Sequence, residues 1–518
     1  MTFRRHSHIC SLQSVCRPAR NASLLLVNFL NRGAEMTPLR MLILCLAFAA
    51  VLPSCSQVMV AQTQQILGSA PETKDMALVG YNDLQGRSAY QPVIQQQGSR
   101  FIAYIGHHGG TALNPMTGKT EPNGTSIVDV TDPRKPRYLY HIPGSAEGTG
   151  EAGGAQMARI CNGRDLPKGD RGKLYMLRTL GNSAHELWDV TQPEKSALIT
   201  TVVSNLRNTH KNWWECDTGI AYLVSGVKGW KARRMMQVFD LSNPAEPVHI
   251  RDFGLPGQEP TAAEKDSPYE LHGPISTGPR GNRIYFGFGT VRNGVIQIVD
   301  REKLLNGPKE LTPKNLLYPQ IARMDTPPYM GAHTTLPVFG IEVTEFAKNS
   351  VSKTRDILVV VNESTANECQ EPRQMAYIVD ITNEKTPFTI ANYQVSEASG
   401  NFCSRGGRFG AHASNENQPA MYYRRIVFMS WFNAGVRAVD IRDPYRPREV
   451  AYYIPAITDK TDKRCVKVDT GGEACKVAIQ TNNVEVDDRG YIYIVDRANT
   501  GMHILELTGA ARAIANFP

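Results

Sequence analysis

The sequence predicts an all-β protein built from one repeated four-stranded unit, and three observations carry that prediction. An apolar-apolar-Asp-apolar tetrad recurs as Ile127-Val-Asp-Val130, Leu187-Trp-Asp-Val190, Val238-Phe-Asp-Leu241, Ile298-Val-Asp-Arg301, Ile378-Val-Asp-Ile381 and Ala438-Val-Asp-Ile441, with Ile504-Leu-Glu-Leu507 as a variant. The acidic positions, Asp129, Asp189, Asp240, Asp300, Asp380, Asp440 and Glu506, are 51 to 80 residues apart, which suits a unit of roughly 40 to 50 residues with loop insertions. Proline-bearing turns follow the tetrads, as in Arg442-Asp-Pro-Tyr-Arg-Pro447, and proline ends a strand because it fixes φ and removes a ladder donor. Seven such units arranged radially make a seven-bladed β-propeller.

The stretch from Ser430 to Pro455 holds one complete copy of the unit. Phe428 to Trp431 ends an apolar strand, Asn433-Ala-Gly435 turns the chain, Val436 to Ile441 alternates as a half-buried strand, and Glu449 to Tyr453 runs back after the proline turn. On this pattern blade 1 comprises 90–95, 101–106, 126–130 and 138–142, and the following blades begin near Gln156, His210, His272, His333, His412 and Asn482. Blade 7 lacks a returning strand after Ile504 to Leu507, and Ala77-Leu-Val-Gly-Tyr81 reads like Glu449-Val-Ala-Tyr-Tyr453. The N-terminal segment is therefore expected to close the last blade, burying Leu78 and Tyr81 and removing an open sheet edge. The repeated acids, each just before a tight turn, are read as acceptors for turn amides.

These tetrads resemble the LVIVD-repeat β-propeller family over about residues 76–508, and the resemblance implies the fold. The segment from Phe428 to Pro447 is also similar to part of the selenium-binding and methanethiol oxidase propellers. That second likeness implies a copper-dependent oxidoreductase whose chemistry relies on histidines, although no family-specific cysteine motif is present.

The chain has 518 residues, 41% of them apolar, with 43 Gly and 32 Pro, enough for one large turn-rich domain. Residues 1–35, basic and without pattern, are read as an upstream mis-start, and 36–61 as a signal peptide or lipoprotein signal. There Arg40 precedes the apolar run Met41 to Leu52 and Leu52-Pro-Ser-Cys55. Cleavage at a lipidated Cys55, giving an outer-membrane anchor, and ordinary cleavage near Ala61, giving a periplasmic protein, are both consistent with this. Residues 509–518 read as a tail. Residues 1–55 carry six Arg and one Glu, so the net charge of +8 falls to about +3 on cleavage, and no basic run interleaved with aromatics is present; nucleic acid is excluded as a partner.

Six cysteines follow Cys55. Cys465 and Cys475 flank a short Gly-containing loop, Cys161 and Cys216 fall in corresponding first strands of neighbouring blades, and Cys369 and Cys403 remain, so a disulfide framework of an exported protein is expected.

A column of polar residues stands about a dozen residues upstream of each second strand, where the inner strands begin at the channel mouth. Blades 3 to 6 place His210, His272, His333 and His412 there; blade 2 has Gln156 in the matching frame, and blades 1 and 7 offer Gln91 and Asn482. Radial symmetry brings such positions together, and imidazole is the commonest metal ligand, so the four histidines are candidate ligands for a transition metal, copper or zinc. The turns between second and third strands open on the same face and supply His107, His108, Arg178, Arg292, Glu363 and Asn433 as candidate ligand-binding residues for a small, anionic molecule or a protein partner. Strand-capping histidines and Asn-Gly hairpin chemistry would account for the same residues structurally. No G-x-S-x-G, H-E-x-x-H, Walker or dinucleotide motif occurs, which argues against common hydrolases and nucleotide enzymes.

Overall fold

The computed structural model describes residues 64–517 apart from 264–269, 290–292, 345–347, 349 and 470. The expected mis-start, the signal region with Cys55, and Arg292 lie outside the described residues.

Seven antiparallel sheets form the blades of a β-propeller. Blade 1 runs Ala89–Gln97, Arg100–Gly109, Thr125–Asp129 and Arg137–Ile142, and blade 2 runs Ala158–Asn162, Leu174–Leu180, Ala184–Asp189 and Ala197–Val203. Blade 3 comprises Asn212–Trp214, Ile220–Ser225, Met235–Asp240 and Val248–Phe253; blade 4 comprises Leu271–Ser276, Arg283–Phe288, Val295–Asp300 and Gln320–Asp325. Blade 5 is Thr334–Glu342, Thr354–Val361, Ala376–Asp380 and Phe388–Tyr393. In blade 6, Ile426–Ser430, Val436–Asp440 and Arg448–Ile454 are joined at the outer edge by Glu72–Lys74, while His412 and Ala413 bond inward of Ser430.

Each tetrad does two jobs. Its apolar members go inward: Ile127, Leu187, Val238, Ile298, Ile378 and Val439 are all fully buried between blades. Its Asp accepts the backbone N–H two or three residues on: Thr131 N, Thr191 N, Ser242 N, Lys303 N, Thr382 N and Arg442 N lie 2.8 to 3.0 Å from the respective carboxylates. The turn-acceptor reading of the acids therefore describes the folded turns.

A further regularity was not visible in the sequence. In every blade the fourth strand carries an extra residue opposite the middle of the tetrad strand, Leu139, Ile199, Ile250, Ile321, Ile390 and Val450 in blades 1 to 6, and blade 2 has a second at Val202. All are apolar. A bulge at a fixed place increases local twist, so repeating it gives each blade the same coil.

The N-terminal segment closes the ring. Met76–Asn82 pairs with Met502–Leu507 as the fourth strand of blade 7, whose other strands are Thr481–Val486 and Ile492–Asp496. It carries the bulge too, at Val79, opposite the Ile504-Leu505 step. The bulge breaks the period of two, and the expectation for the buried face needs correcting: Leu78 and Tyr81 are 47% and 38% exposed, whereas Met76 and Gly80 are buried. Gly80 is required there because a Cβ would stand 2.0 Å from the Pro133 carbonyl oxygen of blade 1. Blade 7 then packs on blade 1 through Val495, Met502 and Ile504 against Ala103, Ile105 and Val128. The expected C-terminal tail contains the short helix Gly509–Ile514, and Phe517 beyond it meets the Tyr422 ring edge-on at 5.8 Å.

Three disulfides are present: Cys161–Cys216, which joins blades 2 and 3; Cys369–Cys403, which ties the blade 5 insertion to the approach to blade 6; and Cys465–Cys475. The last two cysteines lie directly opposite each other in a two-stranded excursion, Lys463–Val468 and Gly472–Val477. No helix among the described residues is long and apolar enough to cross a membrane.

Candidate metal centre

The inner strands of blades 3 to 6 deliver His210, His272, His333 and His412 to one place. Their backbones are fixed at the channel mouth: His210, His333 and His412 donate their N–H groups to the carbonyls of Val224, Val361 and Ser430 in the adjacent strands. Their rings lie side by side, with centroid separations of 4.5 Å from His210 to His272, 3.4 Å to His333 and 4.4 Å to His412. All four are buried.

The Nδ1 atoms of His210, His333 and His412 are occupied, whereas His333 Nε2 is not. His210 Nδ1 lies 2.7 Å from Gln156 Oε1, His412 Nδ1 2.6 Å from the Asn482 carbonyl, and His333 Nδ1 3.0 Å from Thr334 Oγ1. An Nδ1–H donated outward leaves the lone pair of His210, His333 and His412 on Nε2. His210 Nε2 and His272 Nε2 approach to 2.7 Å, while His333 Nε2 and His272 Nδ1 have no hydrogen-bond partner among the described residues. Burial holds all four imidazoles well below their ordinary pKa, with Arg234, Lys211, Arg497 and the neighbouring rings adding to the effect. They are neutral lone-pair donors.

Glu363 completes the cluster. Its carboxylate lies 4.0 Å from His333 Nε2 and 3.8 Å from His412 Nε2, and burial pushes it up to about 7 although Arg408, 3.1 Å away, pulls it down. His272, His333 and Glu363 can each offer a ligand atom, all within 4.8 Å of one another. Neutral imidazoles and a carboxylate are the donor set of copper and zinc sites, so the residues present fit a transition metal.

The other candidate residues take several positions. Gln156 anchors His210. His108 is buried beside the cluster, its ring 5.1 Å from Tyr90 and its Nε2 3.4 Å from Glu151, and burial pushes it down to about 4. His107 turns the other way, into blade 1, where Nε2 meets Ser126 Oγ at 2.7 Å. Arg178 is buried within blade 2, bonded to Glu186 at 3.0 Å and to the Ile142 and Pro143 carbonyls at 3.2 and 3.0 Å. Asn433 donates to the Phe402 and Gly406 carbonyls at 2.8 and 2.9 Å and fixes a loop. Three contributors escaped sequence reasoning: Tyr90, whose hydroxyl lies 3.1 Å from His210 Nε2, and the Arg497–Glu151 pair at 2.6 Å. Tyr90 stands one residue from Gln91, so the repeat column pointed to the right strand and the wrong side chain.

Deeper in the channel a second charged group is fully enclosed. Glu416 pairs with Arg159 and, at 3.1 Å, with Lys211; burial works to raise it, but the two cations bring it down to about 2. Its neighbour Glu485 is pushed up to about 8 by burial and by Glu416, despite N–H groups of Val486, Asn417 and Glu416 within 2.9 to 3.2 Å. A carboxyl whose folded pKa is raised stabilises the fold when protonated, and that contribution is lost as pH climbs from its unfolded value of about 4.3 toward 8. The melting temperature is expected to fall between about pH 4 and 8, and Glu485→Gln to flatten that slope. An unchanged slope in the variant would place the titrating group elsewhere.

No family model matches the chain, and no curated protein matches it. Among solved structures it is similar to Sqt1 of Chaetomium thermophilum, at 9% identity and a TM-score of 0.42, over 84% of this chain and 98% of that one.

Proposed function

We propose that this chain is an exported LVIVD-repeat propeller that holds a transition metal ion, copper or zinc, at the histidine-lined mouth of its channel and presents it to a small molecule. The observation that carries the reading is the buried group of His272, His333 and Glu363, whose donor atoms all lie within 4.8 Å of one another, with the rings of His210 and His412 packed beside it. Left empty, such a cluster would keep lone pairs crowded in a dry site; a cation relieves that repulsion. Export is supported by the three disulfides together with the Met41 to Leu52 apolar run, and the Leu-Pro-Ser-Cys55 sequence supports a lipid anchor.

Purified mature protein, stripped with chelator and dialysed against Cu(II) or Zn(II), is expected to retain one metal ion per chain, and bound Cu(II) to show nitrogen hyperfine structure in its paramagnetic resonance spectrum. Protein that retains no metal, or Cu(II) bound without nitrogen ligands, would overturn the proposal. The likeness of Phe428 to Pro447 favours a second reading, a copper-dependent oxidoreductase related to the selenium-binding and methanethiol oxidase propellers. In that case the copper would supply one-electron and oxygen chemistry, with the Tyr90 ring standing among the His108, His210 and His412 rings. Oxygen consumption by the copper-loaded protein with an added reductant would distinguish catalysis from binding alone.

A further inference from the structure

A cavity of about 450 Å³ opens at the channel mouth, and its wall carries Arg408, Arg464 and Arg497 together with His108 and Gln480. The three arginines come from different parts of the chain. Arg408 precedes blade 6, Arg464 stands on the disulfide-closed excursion, and Arg497 follows the second strand of blade 7.

Arg464 is engaged through both terminal nitrogens, with a further bond to the Lys463 carbonyl at 3.2 Å, whereas Arg408 and Arg497 are each engaged through one. Arg408 meets Glu363 at 3.1 Å and the Ser364 carbonyl at 3.2 Å; Arg497 meets Glu151 at 2.6 Å; Arg464 meets Asp462 at 3.0 Å and the Arg497 carbonyl at 2.9 Å. The other edges are not all spoken for, and Arg497 Nη1 is buried with no hydrogen-bond partner among the described residues. Arg408 and Arg497 both stack on the Phe432 ring, at 5.3 and 6.0 Å, and that ring also touches His412 at 4.9 Å. Phe432 is a buried non-glycine residue in the left-handed backbone region, at φ 40°, a strained conformation that persists where the surroundings enforce it. It thereby holds two like charges together one ring's thickness from the metal ligands. Burial, and next the charge of Arg497, lower Arg408 to about 10, although Glu363, Glu151 and Glu371 pull it up.

We infer that this cavity is an oxyanion site, in which Arg408, Arg464 and Arg497 bind the carboxylate, sulfonate or phosphate group of a small molecule that also meets His108 in the cavity wall. Planar guanidinium forks match such groups bidentately, and unpaired N–H donors in a low-dielectric wall gain most from a charged acceptor. The volume suits a small polar molecule and excludes a folded partner. The cavity's role as a vestibule to the metal rests on the metal reading; its affinity for an anion does not.

Inorganic phosphate and sulfate, titrated calorimetrically into metal-free and metal-loaded protein, test the site. Both forms are expected to bind, and Arg464→Gln and Arg497→Gln each to weaken binding by about tenfold or more. Lys467→Gln, an exposed change on the same excursion, should leave affinity as it was, and Arg464→Gln, itself near the surface, should leave melting temperature and metal content unchanged. Equal affinity in the wild type and both arginine variants, or no binding to metal-free protein, would overturn the inference; in the second case any anion bound by the loaded protein is a ligand of the metal. Anion binding by protein that retains no metal would uphold the oxyanion site and remove the metal proposal.

Discussion

His272→Ala is expected to abolish metal retention, with affinity down by about 100-fold or more as measured by competition against a chromophoric chelator. His272 lies at the middle of the row of rings, between His210 and His333, and with His333 and Glu363 it forms the tightest group of donors. The variant removes a buried polar group that has no outward hydrogen bond, so the fold should keep its stability or gain a little. Gln156→Ala makes the complementary case. It removes no ligand but frees His210 Nδ1 from its 2.7 Å partner, and loss of such an outer partner ordinarily weakens a metal site by about 10 to 100-fold. If His272→Ala retained the metal at wild-type affinity, the cluster would be a stack of neutral core histidines and the functional reading would fail.

Removing the N-terminal clasp is expected to have the largest effect on stability. A chain beginning at Pro71 retains both closing strands; one beginning at Asp75 loses Glu72–Lys74 and the Glu72–Arg405 ion pair; one beginning at Asp83 loses the blade 7 strand as well. The last step exposes the buried side chain of Met76 and leaves Met502–Leu507 as an unpaired edge, together on the order of 5 kcal/mol. That approaches the whole net stability of many domains, roughly 5 to 15 kcal/mol. Melting temperature should therefore drop modestly from the first chain to the second and collapse, with aggregation, in the third. Equal melting temperatures for the first and third would mean that blade 7 closes by another route.

Much of the fold was legible because the tetrad expresses two local rules at once: apolar residues facing two ways in a strand buried on both faces, and a carboxylate before a turn that needs an acceptor. The bulge was not legible, because an extra apolar residue such as Val79 or Val450 in a half-buried strand looks like its neighbours, and only the register reveals it. This is why Leu78 and Tyr81 were assigned to the wrong face. The histidine row was legible because it obeys the repeat. Arg408, Arg464, Arg497 and Glu151 were not, since they lie in insertions or strand ends where the repeat exerts no constraint and where spacing in sequence says nothing about direction in space. His107 and Arg178 show the converse: both occupy the predicted turns, yet neighbouring acceptors inside blades 1 and 2 capture them.

The bulged strand Met76–Asn82 also sets the order of events in folding. Six blades find most of their partners within a few dozen residues, whereas this strand emerges near the start of the described chain and its ladder partner, Met502–Leu507, near the end. Closing so long a loop is entropically slow, and until it happens a nascent molecule carries a lone strand at one end and an open edge at the other. Two such molecules at high concentration have complementary loose parts, and each strand could complete the other's blade with the same bulge and the same register. The joint that makes the ring continuous is thus also the place where neighbouring chains would exchange strands, and refolding yield should fall with protein concentration.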